Sequence, residues 1–205
     1  MVELAELESI VEHGYRRAGV ADEDEVLLRA QLVRMRYGSE AIVLVPNMPT
    51  KAAVVHVEGS PVFAVRASLD PIERRFCLGH EYAHVLLDEL GYRTPDVEQA
   101  CDYIGAAIQT RSRAFKRAAR RTGADFRQLA VDFGTTETWA ALRYGETTDT
   151  PVAVVCPESV RVRGCFWEWG SAEQVRQMAA TGRDGVKKAH LTDDARRIAL
   201  LAEAI

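Results

Sequence analysis

No stretch of this chain approaches the roughly 20 consecutive apolar residues needed to cross a bilayer as a helix. A secretory leader is not expected either, because Met1-Val2-Glu3-Leu4-Ala5-Glu6-Leu7-Glu8 is acidic where a leader carries positive charge. The four cysteines, Cys77, Cys101, Cys156 and Cys165, form no C-x-x-C pair, which argues against a cysteine-rich zinc module or a disulfide scaffold. There is no internal repeat, low-complexity tract or long linker, and at net charge -4 there is no global field that would draw the protein to nucleic acid. What remains is a cytoplasmic protein with free thiols and no membrane association. Its 205 residues, 47% hydrophobic and 27% charged, suffice for one substantial globular domain with at most a small appendage.

Against that background one segment stands out, Arg75-Phe76-Cys77-Leu78-Gly79-His80-Glu81-Tyr82-Ala83-His84-Val85-Leu86-Leu87, which contains H-E-x-x-H. On a helix, residues four apart project from one face, so His80 and His84 can hold a single metal ion while Glu81 leans over its open side. The flanks predict that helix. Asp70-Pro71-Ile72-Glu73 reads as an N-cap, a proline at the first helical position and a carboxylate at the third. Ile72, Phe76, Gly79, Ala83, Leu86, Leu87 and Leu90 fall on one buried stripe, with Leu78 and Val85 adding apolar surface on the far side. Two imidazoles and a carboxylate within one turn of a buried helix are costly unless compensated, and a metal ion compensates all three. Cys77, one turn before His80, is a conceivable thiolate ligand but reads better as a core residue.

The surrounding pattern is α+β. Helices are expected around Leu4, Leu7, Val11 and Tyr15, and from Glu23 to Met35. Three short β-branched runs follow, 41–45, 52–57 and 61–67, read as a three-stranded antiparallel meander with His56 on its middle strand. A second strong helix is expected from Thr94-Pro95, with Val97, Ala100, Cys101, Ile104, Ala107 and Ile108 buried. Glu98 and Asp102 fall together on its flank, one turn apart. If the two helices pack side by side, these carboxylates and the histidines converge.

A catalytic zinc keeps three protein ligands and one open position. Asp88 and Glu89 would have to bend back along the helix that already carries the histidines. The H-x-x-G-x-x-H arrangement of metzincins is absent, since Leu87 and Leu90 occupy those places. Glu98 is therefore the preferred third ligand to Zn2+. Asp102 would then sit behind it, accepting the outer N–H of a zinc-bound histidine. The reverse assignment, with Asp102 on the metal, stays open. Glu81 would serve as general base and acid in peptide-bond hydrolysis. Tyr92, Tyr103, His56, Arg74 and Arg75 are candidates to stabilise the oxyanion.

Charge is unevenly spread. Residues 1–30 hold eight acids against three bases, whereas 111–127 hold seven bases, Arg111, Arg113, Lys116, Arg117, Arg120, Arg121 and Arg127, against Asp125 alone. An anionic partner, DNA included, would meet residues 111–144. A basic helix is expected from Arg111 to Arg121. Asp125 to Tyr144 then carries the spacing of a helix-turn-helix, with its turn at Gly134. The organisation read from this is a metallopeptidase core over 1–122, the helix-turn-helix-like segment packed on it over 123–150, and an α/β extension over 151–205. In that extension strands are expected at 151–156 and 160–167, a capping box at Ser171-Ala172-Glu173-Gln174, and a last helix capped by Thr192.

The pairing of H-E-x-x-H with Glu98-Gln99-Ala100-Cys101-Asp102 resembles the ImmA/IrrE family of zinc metallopeptidases, with their gluzincin-like E-x-x-x-D on the next helix. The resemblance covers about residues 30–145. It implies a zincin-like fold, zinc on His80, His84 and Glu98, and Glu81 as the catalytic acid/base. It also implies a bacterial or phage protein that cleaves a helix-turn-helix repressor of a phage, mobile element or stress response. Ile108-Gln109-Thr110-Arg111 departs from the family, whose members usually have an apolar pair and a proline there. The other readings of the chain are a DNA-binding regulator and an antitoxin-like partner that holds zinc without turnover.

Overall fold

The computed structural model describes residues 3–23, 25–148, 150–155, 159–163, 171–181, 186–190 and 198–202. The chain forms two compact units, 1–111 and 112–205. The architecture is α+β and rich in helix, as the sequence pattern implies.

The first unit opens with α1 (Leu4–Arg17) and α2 (Arg29–Tyr37). α2 starts later than the expected Glu23, at Leu28, whose backbone N–H is closed by the Gln31 side chain. Strands β1 (Ile42–Val45), β2 (Ala52–Val57) and β3 (Ser60–Arg66) follow, then α3 (Pro71–Glu89) and α4 (Val97–Ala107).

The small sheet departs from the expected antiparallel meander. Its order is β1-β3-β2, with β1 parallel to β3 and β2 antiparallel to it. The reason lies in burial: β3 alternates cleanly, with Pro61, Phe63 and Val65 buried, and takes the centre. β1 and β2 bury less and become edges, joined by the turn-rich residues 46–51. His56 therefore lies on an edge strand, not on the middle one.

α3 begins as its sequence dictates. Asp70 Oδ1 accepts hydrogen bonds from the backbone N–H groups of Ile72 (2.9 Å) and Glu73 (3.0 Å), and Pro71 occupies the first turn. Its buried face is rotated from the expected stripe. Ile72, Phe76 and Leu90 are exposed at the ends, whereas Leu78, Tyr82 and Val85 are buried with Gly79, Ala83, Leu86 and Leu87. α4 starts two residues after Pro95, because Thr94 Oγ1 accepts from Asp96 N–H and holds a turn there.

α3 and α4 touch through backbone. A Cβ on Gly105 would lie 2.7 Å from both Gly79 C and His80 N, and one on Gly79 would lie 2.7 Å from Gly105 O. Two glycines facing each other thus set the distance between the helices immediately beside His80. Arg29, buried on α2, closes the end of α4 by donating to the carbonyls of Gly105 and Ala106 and to Gln109 Oε1. Arg111 ends the unit in a buried pocket. It pairs with the Glu12 carboxylate, donates to the carbonyls of Asp22 and Glu25, and stacks 4.0 Å over the Tyr15 ring. Expected among the cations open to an anionic partner, Arg111 is instead enclosed because these groups satisfy it.

In the second unit α5 (Ser112–Thr122), α6 (Phe126–Phe133) and α7 (Glu137–Thr148) form a helical cluster around Phe115, Leu129 and Phe133. Asp125 caps α6, and Gly134 turns the chain at φ 57°. The helix–turn–helix spacing is therefore realised. A four-stranded antiparallel sheet of order β5-β4-β7-β6 follows, built from β4 (Val152–Val155), β5 (Val160–Arg163), β6 (Val186–His190) and β7 (Ile198–Ala202). The helix α8 (Ala172–Thr181) packs Val175, Met178 and Ala179 on Ala153 and Val155. Ser171 and Gln174 close the expected capping box reciprocally. The expected last helix is instead β7, whose backbone pairs with β4 and β6; strand pairing overrides the local helical preference of Ala199-Leu200-Leu201-Ala202. Thr192, its expected cap, and the ends of the strands expected at 151–156 and 160–167 lie outside the described residues.

Candidate metal centre

The contact of Gly79 with Gly105 brings one face of α3 against the flank of α4 that carries Glu98 and Asp102. His80 Nε2 and His84 Nε2 lie 3.2 Å apart. Glu98 stands over both, with Oε2 3.2 Å from His80 Nε2 and Oε1 3.6 Å from His84 Nε2. A tetrahedral zinc with bonds of about 2.0–2.1 Å has ligand–ligand edges of about 3.3–3.4 Å. The two imidazole nitrogens and the two oxygens of the Glu98 carboxylate lie at distances close to those edges. They are the donor group that could hold a metal ion among the described residues.

Asp102 fixes the orientation of this set. Its Oδ1 lies 2.8 Å from His80 Nδ1. A carboxylate can only accept, so Nδ1 donates to Asp102 and Nε2 is turned toward His84 and Glu98. The side chains are partly open to solvent, with exposures of 17% at His80, 31% at His84 and 73% at Glu98. An ion could therefore enter without unfolding the helices. Two imidazole nitrogens 3.2 Å apart beside a carboxylate form a ligand set of the hard-to-borderline type that suits zinc.

Glu81, next along α3, turns toward the sheet. Its Oε2 accepts from the backbone N–H of Val54 on β2 at 3.1 Å. This N–H points away from β3, across the free edge of the sheet, so the carboxylate sits between the donor cluster and that edge. A sequence pattern carries no sign of this contact, since the group involved is a peptide N–H.

A cleft of about 900 Å³ opens from His84 along the edge strand. Val54, Pro61, Val85, Leu87, Pro95 and Val97 supply its apolar wall, and His56, Tyr92 and Arg93 its polar parts. Tyr37 and Glu89 line it as well. The Tyr37 hydroxyl donates to Glu89 (2.9 Å), and Arg36 holds the same carboxylate at 2.7 and 2.9 Å. Burial, with Glu89 adding to it, keeps the Tyr37 phenol well above its usual range. Sequence reading missed the contacts of Glu89 with Arg36 and Tyr37 because more than fifty residues separate the partners.

Of the candidates for oxyanion stabilisation, His56 and Tyr92 line the cleft, the latter with its hydroxyl on Glu6. Tyr103 is buried and donates to Glu8 (2.6 Å), and Arg74 is tied to the carbonyls of Ala67 and Leu69. Cys77 and Cys101 are buried free thiols. Burial pushes Cys101 up to about 12, with Glu98, Asp102 and Glu81 pushing the same way; Cys77 is raised by burial and then by Glu73. Both thiols stay protonated and outside the donor cluster.

A peptidase family model, Peptidase_M78, described as the IrrE N-terminal-like domain, matches residues 30–144. No curated protein sequence matches the chain significantly. Among solved structures, one described as a Mycobacterium tuberculosis transcriptional regulator is similar at a TM-score of 0.57 and 17% identity, covering 96% of this chain and 87% of that one. At that identity the likeness shows the fold alone. Among the described residues no helix is long and apolar enough to cross a membrane.

Proposed function

Since the chain belongs to the M78 peptidase family of IrrE N-terminal-like domains, we propose that it is a zinc-dependent endopeptidase of the cytoplasm that hydrolyses a peptide bond in a protein substrate. The observation that carries this reading is the convergence of His80, His84 and Glu98 within tetrahedral spacing, with Glu81 beside them on the edge-strand side. In this reading His80, His84 and Glu98 hold the zinc, and Asp102 orients His80 from behind. When bound, zinc supplies Lewis acidity toward a substrate carbonyl and lowers the pKa of water in its open position.

Glu81 takes the proton of the attacking water and returns it to the leaving amine. β2 presents an edge whose outward backbone groups, apart from the Val54 N–H that Glu81 takes, can pair with an extended peptide, and His56 lies where such a peptide would run. The apolar wall of the cleft suits a bulky apolar side chain next to the scissile bond.

The substrate proposed is a helix-turn-helix transcriptional repressor of a phage, mobile element or stress response, in line with the ImmA/IrrE resemblance. That the similar solved structure is described as a transcriptional regulator supports a role in gene control. Glu81→Gln is expected to retain one zinc per chain and to cut cleavage of the repressor encoded beside this gene by about 10²–10⁴-fold. Metal analysis and a gel-based cleavage assay measure the two. Full cleavage by the variant would remove Glu81 from the mechanism. Zinc uptake with no cleavage by the wild type would favour a partner that holds metal without turnover.

A further inference from the structure

α5 is divided by burial into two faces. Ala114, Phe115, Ala118 and Ala119 are buried, and Arg113, Arg117, Arg120 and Arg121 are exposed with Lys116 half-buried beside them. No acid lies on the helix. The spacing produces three like-charge neighbours at i,i+4, namely Arg113 with Arg117, Lys116 with Arg120 and Arg117 with Arg121, and each of these is unfavourable in isolation. Arg113 also stands in the first turn, where the helix dipole disfavours a cation. On the neighbouring α6, Arg127 is exposed as well. Asp132 lies 4.0 Å from Arg121 and also accepts from Gln128 Nε2 at 2.6 Å. The solvent side of α5 thus presents a stripe of exposed cations with no acid of the same helix between them, a form that suits a polyanion.

We propose that the outer face of α5 binds the phosphate backbone of duplex DNA. Four of the five cations on the helix are arginines, whose planar fork matches phosphate in a bidentate manner, and they run as one stripe along the axis. The contact is to backbone and not to bases. In a base-reading helix-turn-helix the second helix is laid in the major groove. Here that helix, α7, buries Glu137, Thr138, Ala140, Ala141, Leu142, Arg143, Gly145 and Thr147 within its own unit and has no reading face to offer. The interaction is therefore independent of sequence, and independent of whether the metal centre is active.

Fluorescence anisotropy with the full chain and a labelled mixed-sequence duplex of 30 base pairs tests this. At 50 mM salt the wild type is expected to bind with a Kd of about 10⁻⁴–10⁻⁶ M, and log K should fall with log [salt] at a slope of about -3, reflecting about three phosphates neutralised. The triple variant Arg117→Gln, Arg120→Gln, Arg121→Gln keeps good helix formers at exposed positions. It should bind at least about tenfold more weakly, with a slope flatter by about 2 to 3. Circular dichroism of the variant verifies its fold, and Arg120→Gln alone, expected to flatten the slope by about 1, serves if the triple variant unfolds. Absence of salt-sensitive binding, equal binding by the variants, or a strong preference for one duplex sequence would overturn the proposal. So would tighter binding to poly-glutamate than to DNA, which assigns the face to an acidic protein.

Discussion

Two helix pairs in this protein carry a recognisable spacing, and they use it in opposite ways. α3 and α4 approach through Gly79 and Gly105 and gather His80, His84, Glu98 and Asp102, with His84 also lining the cleft. α6 and α7 meet across Gly134 with the spacing of a DNA-reading motif, yet α7 buries even Arg143, which is 1% exposed and bonded to Ser112 and Glu146. The first spacing is defined by polar side chains whose chemistry has to reach solvent. The second is defined by an apolar rhythm, and an apolar rhythm specifies that two helices pack, not what their other faces meet.

The contrast breaks most severely if the α5–α7 cluster is hollowed. Phe115 is fully buried, with its ring 5.0 Å from that of Phe133. Phe115→Ala is expected to cost about 3–5 kcal/mol through lost burial and a residual cavity. Chemical denaturation measures the loss, while zinc stoichiometry at the folded baseline stays at one per chain. A variant that lost its metal along with its stability would show that the two helix pairs are not separable.

Next comes the spacing of α3 and α4. Gly105→Ala would ordinarily gain about 1 kcal/mol of helix propensity. The new methyl would meet backbone atoms at 2.7, 2.7 and 3.0 Å, and backbone cannot swing aside. Overpacking at about 1–3 kcal/mol therefore prevails, and the helices move apart. The melting temperature and the zinc affinity are both expected to fall. A stabilised variant would mean that the glycines are not what sets the site.

How much of this was legible follows from the same distinction. The capped start of α3, the His80–His84 turn and the Glu98–Asp102 turn are local, each within five residues, and all were readable. The convergence of the two helices was inferred from shared chemistry and is realised through glycines whose importance no spacing rule announces. The strand order was misread because pairing depends on which strand buries itself most, a property of the whole sheet: β3 wins the centre through Phe63 and Val65. Arg111 was misread because its acid, Glu12, lies 99 residues away. β7 was misread because Ala199-Leu200-Leu201-Ala202 locally prefers a helix, and pairing with β4 and β6 overrides that preference.

Within the metal centre a smaller change separates holding from orienting. Asp102→Asn preserves shape and leaves an amide facing His80 Nδ1. The amide oxygen can still accept, but without the charge that strengthens the imidazole as a ligand. Zinc affinity, measured by chelator competition, is expected to fall by about 10–100-fold with the melting temperature of the metal-free protein unchanged. A loss as complete as that of His84→Ala would make Asp102 a direct ligand and reverse its roles with Glu98.

The smallest effect is expected on the outer face of α6. Val131 is 71% exposed, the most exposed large apolar side chain among the described residues, one turn after Arg127. Val131→Glu replaces a β-branched residue with a better helix former, which is worth a few tenths of a kcal/mol, and adds an acid at i+4 from an arginine. The arginine-first order makes that pair weaker than its reverse, so the sum should stay within about 0.5 kcal/mol of wild type in denaturant unfolding. A loss above about 1 kcal/mol would mean that Val131 is covered by something in solution. The outer face of α6 would then be an interface, and the contrast would lie between two used surfaces, the proposed metal centre and one that binds a neighbour.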